Sequence, residues 1–329
     1  MKELTYKGRV EYRNKPENLD NNDMDLFRHE FKKNIFDSYV LTLNHIYLMQ
    51  KNLLGINKFK LYLQQSYMNR PPLKSILKVV LNFLKLSRKK TKSIDSGVWI
   101  INNKSENYFH WMTESLARVL SFQKLNKPSK ILLSEQFDKY EFVSKTLDIL
   151  DVEYTTYSSK NLIKVKKLFL TTHTAPAGNY NSEIILELQN KLNNNSISST
   201  KKRLWLSRKY SDRRFLSNED ELCSIFEKYN IEIIYPEHFT YSQQIEIYRN
   251  AEFIGGVHGA ALVNMLYMET NKNILELRGK NDSHNNCYYS LATLLNHKFY
   301  YQKCEIDLED NFIVDPEHLN KTLKSIFKD

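Results

Sequence analysis

His110 and Glu114 stand four residues apart in NYFHWMTES (Asn107–Ser115), so a helix puts both on one face. A carboxylate in that position can take a proton from a hydroxyl, and an imidazole beside it can orient or share the proton. An ordinary contact between neighbouring turns is the alternative. The spacing also suits two metal ligands, but there is no HExxH pattern and no third ligand, so no metal is expected. A second group lies in FIGGVHGAALVNMLYM (Phe253–Met268), where three of the chain's eight glycines, Gly255, Gly256 and Gly259, surround His258 and precede Ala260. A strand that ends in glycines and enters a helix offers backbone N–H groups to an anion, and small residues let a pyrophosphate come close. The spacing is neither GxGxxG nor GxxxxGK[ST], and a tight strand-to-helix turn is the competing reading. LWLSRKYSDRRFLSNEDEL (Leu204–Leu222) adds Arg208 and Arg213, suited to bidentate phosphate contacts. Lys209 and Arg214 are assigned to the solvated part of that loop. Glu276, closing NILEL, is placed either to accept from ribose hydroxyls or only to end a strand.

These residues need elements to hold them. From Gly97 onward the chain alternates between short apolar runs and amphipathic segments. VWIIN (98–102), KILLS (130–134) and KKLFLTT (166–172) read as strands, with helices over 106–125 and 137–150 between them. After the polar stretch 193–202, strands RLWLS (203–207), IEIIY (231–235), EFIGGV (252–257), NILEL (273–277) and KFYYQKCEI (298–306) alternate with helices. Asn218 with Glu221, and Thr240 with Gln243, carry capping-box spacing; Asp315-Pro316 opens a last helix. Such alternation means βαβ units and parallel sheets. The expected domains are a β-containing N-terminal extension (1–96), with short strands over 38–65 and a basic helix over 69–93, joined to an acceptor-side domain (97–192), a linker (193–202), a second domain (203–306) and a terminal helix (307–329) packing back on the first.

Charge is unevenly placed. Residues 1–96 hold 19 Lys and Arg against 9 Asp and Glu, which accounts for the whole net charge of +10. Most of the excess lies in 69–93, which has eight basic residues and no acidic one. As a helix this segment sets Lys74, Lys78 and Lys85 on one face and Ile76, Val79, Val80 and Phe83 on another, a pattern suited to an anionic membrane surface. A surface helix packed on its own domain is the alternative. No nucleic-acid-binding motif accompanies the patch. Three scattered cysteines argue against a disulfide framework. No leader or membrane-length apolar run is visible, and a cytoplasmic protein is expected, peripheral on the inner membrane's cytoplasmic face.

In order along the chain, NYFHWMTESLARV, LSRKYSDRRFLSNEDEL, PEHFTYSQQIEIYRNAEFIGGVHGAALVN and ILEL resemble the four blocks of the family 61 glycosyltransferases, in particular the bacterial capsule and exopolysaccharide branch. The resemblance runs from about 98 to 277. It implies an α/β, GT-B-like fold, with two Rossmann-like doubly wound domains facing a cleft, the second of them (203–306) binding the nucleotide sugar. It also implies inverting, metal-independent transfer of a sugar from a nucleotide sugar, usually UDP-linked, to a hydroxyl of a growing surface glycan on a lipid carrier. Glu114 then stands as general base, a Glu where Asp is common, and His110 orients it or touches the donor sugar. Arg208, Arg213, Gly256 and the N–H groups of His258, Gly259 and Ala260 hold the diphosphate, and Glu276 binds ribose. His258 either donates to a phosphate oxygen or closes the turn. The alternatives are transfer of another activated group, such as a sugar phosphate or pyruvyl, and a non-catalytic membrane-associated subunit that binds nucleotide sugar.

Overall fold

The computed structural model describes residues 1–49, 52–55, 60–61, 73–88, 91–193, 201–280 and 286–327. The chain forms two compact units. Met1–Arg9 and Asn34–Leu192 make the first; Val10–Lys33 and Asn193–Asp329 make the second.

The strands before the second unit's sheet are β1 (Lys2–Tyr6), β2 (Arg9–Tyr12), β3 (Lys32–Ile35), β4 (Ser38–Met49), β5 (Asn52–Gly55), β6 (Lys60–Leu61), β7 (Lys92–Trp99), β8 (Ile131–Ser134), β9 (Tyr154–Tyr157) and β10 (Ile163–Thr171). β2 and β3 form a separate two-stranded ribbon, and the first unit's sheet runs β6-β5-β4-β10-β7-β8-β9 with β1 on β4. Its parallel part is β10-β7-β8-β9. Within these strands the runs Gly97–Trp99 of β7, Ile131–Leu133 of β8 and Leu168–Leu170 of β10 are apolar without alternation because both faces are covered there: Val98, Trp99, Leu132 and Leu168 have no exposed surface. From β7 the chain builds outward through β8 and β9, then returns to place β10 on the other side. The order therefore reverses between β7 and β10. In open α/β sheets such a switch point opens a crevice at the strands' carboxyl ends.

Helix α1 (Leu73–Ser87) belongs to this unit. Phe83 and Leu86 seat it on Tyr47 and Leu162, with the Phe83 and Tyr47 rings 6.0 Å apart, edge to face. The expected apolar face is thus divided: Phe83 turns inward while Val80 is exposed. The side chains of Ile76 and Val79, and residues 69–72 and 89–90 of the expected basic helix, lie outside the described residues.

The second unit's sheet consists of β11 (Lys202–Leu206), β12 (Ile231–Ile234), β13 (Ala251–Val257), β14 (Asn273–Gly279), β15 (Lys298–Ile306) and β16 (Phe312–Ile313), in the order β12-β11-β13-β14-β15-β16. All pairings are parallel except β15 with β16. Its switch point lies between β11 and β13. The last helix (Pro316–Ile326) starts as expected, with Asp315 accepting from Glu317 and His318 N–H groups. It does not return to the first unit. Leu319, Leu323 and Ile326 join Trp205, Phe226 and Phe253 in the second unit's own core.

The N-terminal extension is likewise shared. Val10–Lys33 completes the second unit, which departs from an extension wholly on the acceptor side. Phe27 has no exposed surface and meets Tyr289, Phe299 and Tyr301 with ring centroids 4.8–6.4 Å apart. Asn18 exchanges hydrogen bonds with the Tyr301 backbone at 2.7 and 3.1 Å. Aromatic burial and backbone pairing hold the segment there, and neither leaves a periodic pattern in 10–33.

Other differences are local. The Thr240–Gln243 capping box is present. The one at Asn218 is not, because Asn218 accepts from Val314 N–H and donates to its carbonyl. AALVNMLY (Ala260–Tyr267) is a 3-10 helix, not an α-helix. β7 begins at Lys92, earlier than expected, since its first half is a partly exposed stretch with little apolar signal. Residues 194–200 of the expected linker lie outside the described residues.

Candidate functional site

Each switch point carries one set of the candidate side chains. In the first unit, β7 runs into Ile100, Ile101 and Asn102. Asn102 folds the following loop over itself, accepting from Lys104 N–H at 2.8 Å, while its own N–H donates to Ser105 Oγ at 2.9 Å. Asn107 then caps a helix by accepting from Phe109 N–H. That helix, α2, opens as Tyr108–His110, widens into a π-helical turn over Trp111–Ser115 and continues as Leu116–Gln123. Buried Trp111, Met112 and Leu116 hold its inner face, and Trp111 Nε1 donates to Thr146 Oγ1. Widened single turns of this kind recur at functional sites.

On the outer side of that turn His110 Nδ1 meets Glu114 Oε1 at 2.7 Å, and Asn102 Nδ2 donates to Glu114 Oε2 at 3.1 Å. The His110 and Glu114 side chains keep 19% and 13% of their surface exposed, enough for a reactant to reach both. With the carboxylate accepting at Nδ1, the second ring nitrogen, Nε2, is left without a hydrogen bond among the described residues. Beneath them Arg118 is fully buried at the strand reversal. It donates from Nη1 to Ile101 O, after β7, and from Nε and Nη2 to Thr171 Oγ1 and O, at the end of β10. Burial pulls the guanidinium down to about 9, opposed by the charge of Glu114, so Arg118 remains cationic at neutral pH. Neither Asn102 nor Arg118 figured in the sequence reading. The available signals were a polar residue closing the apolar run VWIIN and a charged one amid LARVL.

In the second unit, the arginine loop leaves β11 and the histidine turn leaves β13. Buried Glu219 anchors the loop, accepting from Trp205 Nε1 at 3.0 Å and Ser207 Oγ at 2.5 Å. Arg208 donates from Nε to Arg214 O and from Nη2 to Arg213 O. Its remaining nitrogen, Nη1, lies over Gly259: a Cβ there would come within 2.4 Å of it. Gly259 is therefore needed for the approach of the guanidinium. Gly255 and Gly256 serve packing instead, one against Trp205 and Phe253, the other against the Leu206 backbone. They lie inside the strand, and Gly256 does not open an anion cradle.

Other expected roles shift. His258 N–H donates to Leu277 O, so it is spent on the sheet and not on an anion. The first two donors of the following 3-10 helix, the N–H groups of Ala260 and Ala261, lack intrahelical partners by geometry, and Gly259 brings no capping side chain; Leu262 N–H already donates to Gly259 O. Glu276 has no exposed surface. It sits beneath His258, taking a very short hydrogen bond from Nδ1, and its Oε2 has no partner among the described residues. Ribose hydroxyls cannot reach it in this conformation; it fixes the histidine ring.

Arg213 is exposed. Arg214, assigned to the solvated loop, is half-buried, sits at φ 55°, and has a buried Nε without a partner. Burial, and next the like charge of Arg214, lower the Arg208 pKa; an anion would relieve both. Lys209 is paired with Asp220, as a solvated residue would be. Tyr288 packs edge-on to His258 at 4.9 Å, and Arg214 and Arg208 temper the rise that burial causes in its phenol. Nothing in the local sequence marked Tyr288.

Among the described residues no three His, Cys, Asp or Glu side chains gather as metal ligands, and no helix is long and apolar enough to cross a membrane. The family model described as Glycosyltransferase 61 matches residues 108–275, just over half of the chain. The chain belongs to the glycosyltransferase 61 family. The matched span includes His110, Glu114, Arg208, Arg214 and His258 and stops one residue before Glu276. A 93-residue stretch of this family 61 chain is 37% identical to the EGF domain-specific O-linked N-acetylglucosamine transferase of Drosophila melanogaster, covering 27% of the chain and 17% of that protein. The chain thus spans less than a fifth of the relative's length.

Proposed function

We propose that the protein is an inverting, metal-independent glycosyltransferase of GT-B type. It transfers a sugar from a nucleotide sugar, UDP-linked, to a hydroxyl of a growing capsular or surface polysaccharide on a lipid carrier. The first unit supplies the acceptor-side base and the second the donor site. The observation that carries this reading is the Arg208 guanidinium laid on Gly259 where the second sheet's strand order reverses, a cationic surface aimed where doubly wound folds take phosphates.

In this mechanism the acceptor oxygen attacks the anomeric carbon as the bond to the diphosphate breaks on the opposite face. Glu114 takes the hydroxyl proton, and His110, bonded through Nδ1, holds the carboxylate. Negative charge grows on the departing diphosphate. Arg208, Arg214, His258 and the N–H groups of Ala260 and Ala261 stabilise it; preorganised donors of this kind usually supply the largest catalytic contribution. A second reading, with His110 Nε2 as the proton acceptor and Glu114 as its orienting carboxylate, is favoured by the unengaged Nε2.

The relative named as an O-linked N-acetylglucosamine transferase makes UDP-N-acetylglucosamine the first donor to test. Incubation with it and a panel of glycan acceptors should release UDP and give a product of inverted anomeric configuration, with EDTA without effect. Retained configuration, loss of activity in EDTA, or transfer of sugar phosphate instead of sugar would refute the proposal.

A further inference from the structure

Helix α1 leaves an apolar stripe uncovered. Leu77, Val80, Leu81 and Leu84 are 61%, 47%, 55% and 52% exposed. Their spacing, i, i+3, i+4 and i+7, lines them up along one side. The inward side is separate, occupied by Phe83 and Leu86 on Tyr47 and Leu162, so the stripe is not the unit's own core. Lys74, Lys78 and Lys85 project along the edge of the stripe and are exposed. Among the described residues none of them has an acidic partner, and the helix contains no Asp or Glu.

We propose that α1 docks the first unit on an anionic phospholipid surface, lying in the plane of the interface with Leu77, Val80, Leu81 and Leu84 among the acyl chains and the lysines among the headgroups. An apolar stripe bordered by unpaired cations is the chemistry of an interfacial helix. At 15 residues the helix falls short of the roughly 20 needed to span the hydrocarbon, so it lies on the membrane without crossing it. A second copy of the chain is a poorer occupant, since pairing the stripes would bring one set of lysines against another. The proposal does not depend on the transfer reaction.

Flotation of the full chain with vesicles tests it. Phosphatidylcholine vesicles containing phosphatidylglycerol should carry the protein upward, and phosphatidylcholine alone should not. Leu77→Glu/Leu81→Glu/Leu84→Glu, at exposed positions, should retain the wild-type melting temperature and lose flotation. Lys74→Gln/Lys78→Gln/Lys85→Gln should weaken binding on the order of a hundredfold and remove the preference for anionic lipid. Failure of the wild type to float, or flotation unchanged in the leucine variant, would overturn the proposal. So would a dimer in solution that the leucine variant abolishes while no lipid binding is seen.

Discussion

Both units place a histidine against a glutamate at the reversal of their sheet, yet the pairs are built for opposite ends. In the first, the carboxylate and the imidazole both reach the surface, and Asn102 steadies the second oxygen. In the second, the carboxylate is sealed beneath a ring that is itself buried, His258 being 7% exposed, next to the glycine on which Arg208 lies. Burial decides the difference. An accessible carboxylate can exchange a proton with a reactant, whereas a buried one can only hold its neighbour in place. The same two residue types give an accessible carboxylate in one unit and a sealed one in the other; under the proposed function the first takes a proton and the second fixes an anion contact.

Removing the histidines should separate the pairs most sharply. His258→Ala leaves the Glu276 carboxylate buried without its partner, and unfolding of the second unit should lose about 3–5 kcal/mol. His110→Ala opens a solvent-accessible pair, and the first unit should lose less than about 1 kcal/mol. The tryptophans allow separate readout in denaturant, with Trp205 in the second unit and Trp99 and Trp111 in the first. Equal losses would end the contrast.

The next effect concerns pH and belongs to the second unit. Burial holds His297 down to about 4, as a neutral ring that accepts from Lys272 N–H and donates to Met265 O. The unfolded chain binds that proton more readily, so the stabilisation is complete above the unperturbed value of about 6.5 and is lost as pH falls from there towards 4, by on the order of 3 kcal/mol. Unfolding curves across that window should show the slope, and His297→Gln should flatten it.

The smallest expected effect sharpens the anion site. Gly259→Ala puts a methyl within van der Waals overlap of Arg208 Nη1. The end of a flexible side chain can move aside, so folding is little changed while the guanidinium leaves its place. Nucleotide affinity should fall roughly tenfold, one charge-assisted contact's worth, as measured by calorimetry. Unchanged affinity would remove Arg208 from the donor site.

The alternating elements and the His110–Glu114 face were legible because periodicity and local spacing encode them; Arg208 could be set near the glycine turn only through the strand order, which puts both at the carboxyl edge of one sheet, and through the family resemblance. What was not legible depended on distant contacts. The burial of Glu276 follows from its register in β14 between two strands, which NILEL alone does not reveal. Arg214 and Arg213 are adjacent and identical in type; only the loop's backbone, with Arg214 at positive φ, turns one inward. Val10–Lys33 joins the second unit through Phe27 and Asn18 contacts made nearly 300 residues away in sequence. The amphipathic helix was legible in its lysines, but which apolar residues face out was set by Tyr47 and Leu162.

Calorimetric titration of UDP into wild type, Arg208→Ala and Glu114→Gln, with turnover measured on the same preparations, tests the division of labour most directly. The account predicts that Arg208→Ala loses binding, and that Glu114→Gln binds UDP as the wild type does while turnover falls by about 10²–10⁴-fold. Undiminished turnover in Glu114→Gln, or undiminished UDP binding in Arg208→Ala, would contradict it.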